Sequence, residues 1–525
     1  MTHPHPSTRL APASRRLFLQ QAGCMSLLAG AGAPLALNLL AAGNAAAQSA
    51  SDYRAIVCLF MLGGNDAYNM VLPTDTDSWN AYTATRNQAP DPISLGAAGT
   101  APMATAAAGS PQRLGGVLPI APARAQGRSF ALHPLLGTLQ TMFDSDKRLA
   151  ILPNIGPLIQ HTTKAQYGQA AHARPARLFS HNDQQSMWQA LAPEGATTGW
   201  GGRMADLLAA QNTRAVFTAV SASGGAVWLN GAQVRQYQVS PAGAIRLGAN
   251  AAGQVYGSAA VADALNRMAM NARGTHVLQA DLAAVSQRSI DAELLLRTTL
   301  RAASDPAVGT PPADAASYNP HADPKLLYAN PLTGANSFNP LAQQLQAVAR
   351  MVDAGLQGRT GVKRQVFFVG MGGFDTHDHQ NRTQADLMAR LAHAMRSFDT
   401  ALGHLHARGN VTLFTASDFG RSFTSNGDGT DHGWGSHHFV MGGAVKGGDL
   451  YGRFPTLATK NARDNQFDGS PDQLGNGALL PNTSVDQLGA TLGRWFGLSD
   501  AQALEVFPHL ANWDSGARNL GFLSA

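Results

Sequence analysis

Residues 54–62 form a nearly unbroken apolar run that stops at Gly63-Gly64. A strand with one wet face alternates apolar and polar residues, whereas an unbroken run belongs to a strand covered on both faces, as in a parallel sheet. The same pattern recurs at Leu149–Pro153, Gln365–Val369 and Val411–Thr415, with shorter strands expected at Ala215–Val220 and Phe439–Met441. Helical patterns lie between them, at about 134–146, 258–303, 340–356 and 382–407. The last is the clearest, because Leu387, Leu391, Met395, Phe398, Leu402 and Leu405 recur at three- and four-residue spacing. Strands alternating with helices predict a three-layer α/β/α domain with a mostly parallel central sheet and right-handed crossovers. Ligands of such sheets bind at the carboxyl ends of the strands.

The 525 residues divide unequally. Ser14-Arg15-Arg16-Leu17-Phe18-Leu19 resembles the twin-arginine export signature. A Gly/Ala/Leu stretch to about Ala42 and Ala45-Ala46-Ala47 complete a signal peptide over residues 1–47. Residues 51–525 then form a single domain, with surface insertions near 95–127 and 304–338 where Pro, Gly and Ala replace periodic pattern. The expected location is periplasmic or secreted, with no stable membrane span once the signal is removed. Residues 1–47 hold three of the 38 basic side chains and none of the 33 acidic ones, leaving 35 against 33. That balance, without any Lys/Arg run, argues against nucleic acid as a partner. Cys58 is alone in the mature chain, inside the first apolar run, and reads as a core thiol.

Three polar clusters directly follow predicted strands: Gly63-Gly64-Asn65-Asp66, then Gly373-Phe374-Asp375-Thr376-His377-Asp378-His379, then Ser417-Asp418-Phe419-Gly420-Arg421, extended by Asp431-His432 and His437-His438. A parallel sheet brings all three to one edge. Carboxylates gathered without a cation raise one another's pKa, so a divalent metal is the economical explanation. Oxygen and imidazole donors favour zinc or manganese, and magnesium or calcium accept the oxygens. The candidate metal residues are Asp66, Asp375, His377, His379, Asp418, His432 and His437. Asp66 and Asp418 also suit helix N-caps, and of the adjacent pair His437-His438 only one can face a common site. Arg421, with Lys446 beyond it, suits an anionic substrate group. Ser180 is the candidate nucleophile, and it too could be an N-cap.

These motifs, with Ser180-His181-Asn182-Asp183-Gln184, Thr198-Gly199-Trp200, Gly442-Gly443-Ala444-Val445-Lys446-Gly447-Gly448 and Tyr451-Gly452 in order, resemble the exported bacterial family catalogued as domain of unknown function 1501, over roughly residues 51–510. That family is related to the alkaline phosphatase and sulfatase superfamily. The resemblance implies an alkaline-phosphatase-like fold and a metal-dependent hydrolase of phosphate or sulfate esters, acting on a small anionic ester or a polymer. It implies that Asp66 matches a metal aspartate, that Asp375 and His379 match a ligand pair, that Asp418 matches the aspartate of an Asp-His pair, and that His432 or His437 matches the last histidine. Phe419 stands where the resemblance places the histidine of that pair, and no C-x-P-x-R motif is present. A second function therefore stays open: a catalytically inactive exported protein of the same fold that binds a surface polymer or a protein partner. No G-x-G-x-x-G fingerprint follows the first strand and no C-x-x-C pair occurs, which removes the dinucleotide and dithiol classes.

Overall fold

A computed structural model describes residues 53–524, apart from 242, 244–248, 251–252, 272–275, 314–316 and 464–465. Residues 1–47, read from the sequence as an export signal, lie outside the described residues. The central sheet is built from β1 (Arg54–Met61), β2 (Leu149–Gly156), β3 (Ala219–Ser221), β4 (Tyr237–Gln238), β5 (Arg364–Met371), β6 (Val411–Ser417), β7 (Ser436–Gly442) and β8 (Thr483–Ser484). Its order is β8-β2-β7-β6-β1-β5-β3-β4. β1 pairs in parallel with both β5 and β6, so the sheet's two central turns, after Met61 and after Met371, open at the same edge.

β7 alone runs against the rest, pairing antiparallel with β6 on one side and β2 on the other. The reason is the connection. The chain after β6 folds back on itself as a hairpin, Arg421–Ser425 against Thr430–His432, instead of crossing a face of the sheet, and so re-enters the sheet from the same edge.

Both faces of the sheet are covered, which is why its strands carry no polar alternation. Ala55, Val57, Leu59 and Met61 of β1 pack with helices Gly137–Asp144, Pro340–Leu356 and Gln380–His404. Ile56, Cys58 and Phe60 face helices His181–Ala190, Trp200–Leu208, Val485–Phe496 and Asp500–Val506. The three-layer α/β/α class is thus observed directly. Helix Gln380–His404 buries Leu387, Leu391, Met395, Phe398 and Leu402, the stripe read from its sequence. Helix Pro340–Leu356 starts where it does because the Asn339 side chain accepts from the Leu341 and Ala342 N–H groups, with proline at the next position. Cys58 is buried and unpaired.

Two expectations about elements are corrected. Ala215–Val220 is split: Ala215–Phe217 is a 3₁₀ turn, and the strand is Ala219–Ser221. The long pattern at 258–303 is two helices, Ala259–Asn271 and Val277–Thr299. Residues 95–127 hold only a helical turn, Pro111–Leu114, and a short strand, Leu118–Ile120. Residues 304–338 include a small hairpin, Leu327–Ala329 with Asn336–Phe338. No helix among the described residues is long and apolar enough to cross a membrane.

Candidate metal centre

The turn after β1 and the turn after β5 are in contact. A Cβ on Gly63 would stand 2.4 Å from the Asp375 backbone nitrogen, and Gly63 has φ +116°. Gly64, at φ +88°, leaves no room either: a Cβ there would lie 2.3 Å from the Phe419 ring. Only glycine allows this approach and this backbone. The hairpin after β6 supplies His432 from its second strand, and helix His181–Ala190 supplies His181 from its first residue.

One nitrogen of His181, one carboxylate oxygen of Asp375 and one nitrogen of His432 all lie within 4.8 Å of one another. The Nε2 atoms of both histidines are 3.4 Å from Asp375 oxygens, His181 to Oδ2 and His432 to Oδ1. Their Nδ1 atoms face away and are both occupied. His181 Nδ1 is 2.7 Å from Asp418 Oδ2, and His432 Nδ1 is 2.7 Å from the Phe179 carbonyl. Each partner only accepts hydrogen bonds, so each Nδ1 carries the proton and each Nε2 lone pair points inward. This is how proteins orient metal-ligating imidazoles. The Gln185 side chain also donates to Asp418 Oδ2 (2.9 Å), and Asp418 Oδ1 is buried without a hydrogen-bond partner.

His377 stands beside this group, its Nε2 3.0 Å from His432 Nε2 and 3.1 Å from Asp375 Oδ1. The Phe419 ring forms the wall, with centroids 4.8 Å from the His181 ring and 4.5 Å from the His432 ring. Burial pushes the Asp375 carboxyl up, but the Arg421 hydrogen bond and charge, helped by His181 and His377, hold it below the usual range. Burial pushes His432 down, against the pull of the Phe179 carbonyl, which favours the neutral ring a metal needs.

A family profile described as a protein of unknown function (DUF1501) matches residues 53–507, across all the elements that build this cluster. The chain belongs to the DUF1501 family. No curated protein matches it. Among solved structures, the DUF1501 chain is similar to Ps i-CgsB in complex with k-i-k-neocarrahexaose, at 8% identity and TM-score 0.32, over 90% of this chain and 78% of that one. It is also similar to BT33494S-sulf, from the metabolism of multiple glycosaminoglycans by Bacteroides thetaiotaomicron, at 8% identity and TM-score 0.33, over 87% of this chain and 75% of that one.

In this DUF1501 protein, Asp375, His377 and His432 meet as the sequence led one to expect, and Asp418 supports His181 from behind. Four other expectations are corrected. Asp66 lies outside the cluster: Arg86 grips both its oxygens, at 2.6 and 3.0 Å, both side chains are buried, and Gln380 donates to it as well. Asp66 also caps the short turn after it, accepting from the Tyr68 N–H. A guanidinium thus neutralises the carboxylate for which a metal had been expected. His379 is exposed and pairs with Asp428, 3.2 Å away. His437 is in the core, its Nδ1 accepting from the Asn154 N–H at 3.0 Å and its ring against Phe454. Ser180 Oγ donates to Asp183 at 3.0 Å, a local bond at the helix start, with no imidazole bonded to it.

Arg421 is also reassigned. Its side chain is fully buried, and its nitrogens bond Asp375 Oδ1 (2.8 Å), the Gly63 carbonyl (3.3 Å), Thr430 Oγ1 (3.3 Å) and the Thr430 carbonyl. Those bonds aim Asp375 and use four of the five guanidinium N–H donors inside the protein. Lys446 is at the opposite edge of the sheet, because it follows Gly442, which pairs with Thr412 at the amino end of β6. The residue that sequence reasoning passed over is His181. Its signal was present, an imidazole opening a predicted helix beside Ser180, but the hydroxyl drew the attention.

Proposed function

We propose that this DUF1501 protein binds one divalent metal ion between His181 Nε2, Asp375 and His432 Nε2, and hydrolyses sulfate or phosphate esters there. The observation that carries the reading is the orientation of the two imidazoles: both Nδ1 atoms are satisfied by fixed acceptors, and both Nε2 lone pairs converge on one carboxylate. Two nitrogens and one oxygen fit zinc or manganese better than magnesium or calcium. Three protein ligands and an open fourth position is the arrangement of catalytic rather than structural zinc sites. The bound ion would polarise the ester oxygens as a Lewis acid.

The chain's own groups do the rest. Asp375 and His377 are 45% and 44% exposed at their side chains, so an ester can reach the cluster from solvent. His377 Nε2, between the acceptors Asp375 Oδ1 and His432 Nε2, carries a proton that it can donate to the ester's leaving oxygen, with Asp431 Oδ1 3.6 Å from its Nδ1. Phe419 excludes water from the inner wall. Arg421 keeps Asp375 ionised and aimed. Metal content and calorimetric titration of the mature protein, followed by 4-nitrophenyl sulfate and phosphate assays, test the reading. One equivalent of zinc or manganese is expected, lost in His181→Ala and in His432→Ala, with turnover that depends on it. Protein that takes up neither ion overturns the proposal.

A second reading is favoured by Phe419 and by the Arg86–Asp66 pair, which together leave room for a single ion. It is a metal-holding protein that binds an anionic polymer without cleaving it, and it predicts uptake of the ion with no turnover of either ester. Both readings place the protein outside the cytoplasm, on the strength of Ser14–Leu19. Cell fractionation tests this, since replacing Arg15 and Arg16 by lysine should leave uncleaved protein in the cytoplasm.

A further inference from the structure

Beside the metal centre lies a solvent-open cleft of about 460 Å³, within the ~300–1,000 Å³ of small-molecule sites. Its floor is Gly372 and Gly373, which run directly into Phe374 and Asp375, so cleft and cluster share one turn of chain. A Cβ at Gly372 would meet nothing within 4 Å, so a side chain fits there without a clash. Leu332 and Leu387 supply apolar walls.

Two arginines line it, and they differ. Arg390 is tied down, 2.7 Å from Asp386 Oδ2 and 3.1 Å from the Tyr328 hydroxyl. Arg382, at the first turn of helix Gln380–His404, is exposed and its guanidinium has no hydrogen-bond or ion-pair partner among the described residues. A planar five-donor fork, unpaired in a cleft with a small apolar floor, is suited to a sulfate, phosphate or carboxylate group carried on a sugar ring. His379 is the one ring among the residues that line the cleft, and it is paired with Asp428.

We propose that this cleft is a subsite for an anionic polysaccharide: Arg382 holds the charged group of the sugar next to the one presented to the metal centre, and Leu332, Leu387 and the two glycines accommodate its ring. The inference rests on the proposed site for its direction, since the neighbouring residue of the polymer must enter through the Gly372–Asp375 turn. Binding at the cleft involves no chemistry and is measured separately from it.

The test is affinity gel electrophoresis of the mature protein in dextran sulfate against neutral dextran, a pair that differs in the anionic group alone. Wild type is retarded by dextran sulfate and not by dextran. Arg382→Gln weakens the retardation by about three- to fivefold, the range for one exposed charge pair, while Arg382→Lys retains most of it. Gly372→Leu, which fills the floor without a backbone penalty, weakens it likewise. Arg288→Gln removes an exposed charge from helix Val277–Thr299 and serves as the control. Thermal melts confirm that each variant is folded. Equal loss in Arg382→Gln and Arg288→Gln overturns the proposal, because the polymer is then reading net charge. Absence of retardation in wild type overturns it as well. Zinc titration of the same samples reports on the metal site independently, so failure of one reading is not mistaken for failure of the other.

Discussion

The pairing of Arg86 with Asp66 has a measurable consequence. Both side chains are buried, and the guanidinium makes five contacts: two to Asp66, one each to Asn69 Oδ1 (2.8 Å), the Phe423 carbonyl (3.0 Å) and the Ser422 carbonyl (2.9 Å). It also sits over the rings of Tyr68, Tyr82 and Phe423, 5.0, 5.9 and 5.7 Å from their centroids. Arg86→Met keeps most of the volume and removes the charge. Asp66 then keeps only Gln380 and the Tyr68 N–H, and the two carbonyls lose their donor. Removing one partner of a buried pair costs about 3–5 kcal/mol. The retained bonds put this site near the lower end, about 3 kcal/mol, a fall of several degrees in Tm. Urea unfolding of the protein gives the number. Adding Asp66→Asn removes the stranded charge, so the double variant should recover at least about 1.5 kcal/mol relative to Arg86→Met, the mark of direct coupling. A loss below about 1 kcal/mol in Arg86→Met, or no recovery in the double variant, would refute the view that the guanidinium does a cation's work at Asp66.

Other perturbations follow from the same geometry. Asp418→Asn removes the carboxylate that holds His181 Nδ1, and should weaken zinc binding by about 10–100-fold in calorimetry, the usual effect of losing such a supporting group. Ser180→Ala should leave zinc affinity within about twofold and keep any ester turnover, because its hydroxyl is bonded to Asp183 rather than to an imidazole; loss of turnover would restore it as nucleophile. Gly64→Ala drives a methyl into the Phe419 ring at a positive φ, and should lower the urea midpoint by an amount equivalent to about 2–3 kcal/mol. Burial pushes His133, His437 and His438 down to about 3, and the Nδ1 atoms of the first two accept backbone N–H groups, which requires them unprotonated. Unfolding returns each to about 6.5, so the unfolded chain binds more protons between these values. Stability from these rings is therefore full above pH 6.5 and is lost as pH falls toward 3, by up to about 1.4 kcal/mol per pH unit for each ring. A urea midpoint flat from pH 7 to 5 would contradict it.

The layered sheet was legible because its signal is local: an unbroken apolar run has few explanations, and the stripe of helix Gln380–His404 has one. The reversed strand β7 was not, because direction depends on the path of the preceding connection rather than on the strand's own residues. At the site, Asp375, His377 and His432 were visible as imidazoles and carboxylates after strands. His437 has the same appearance in sequence, yet its neighbours Asn154 and Phe454 come from distant segments and absorb it into the core. Arg86 reads as an ordinary arginine in the last turn of a helix, Thr76–Arg86, where basic residues are common. Nothing local says that it ends against Asp66, and so the sequence overstated how many carboxylates wait for a metal.

The antiparallel course of β7 also governs how the site comes apart. His432 is followed by only Gly433, Trp434 and Gly435 before β7 begins, and those residues are pinned by bonds from Gly433 to Gly420, Gly420 to Trp434 and Gly435 to Leu479. There is no slack between the imidazole and a strand flanked on both sides by the sheet. A hinged lid could release its contents with the scaffold intact; here, the backbone of His432 cannot swing away unless β7 begins to unzip from β2 and β6. Amide exchange across Phe439–Met441 should therefore slow when zinc or manganese is added, although those residues lie well inside the protein and touch no ligand.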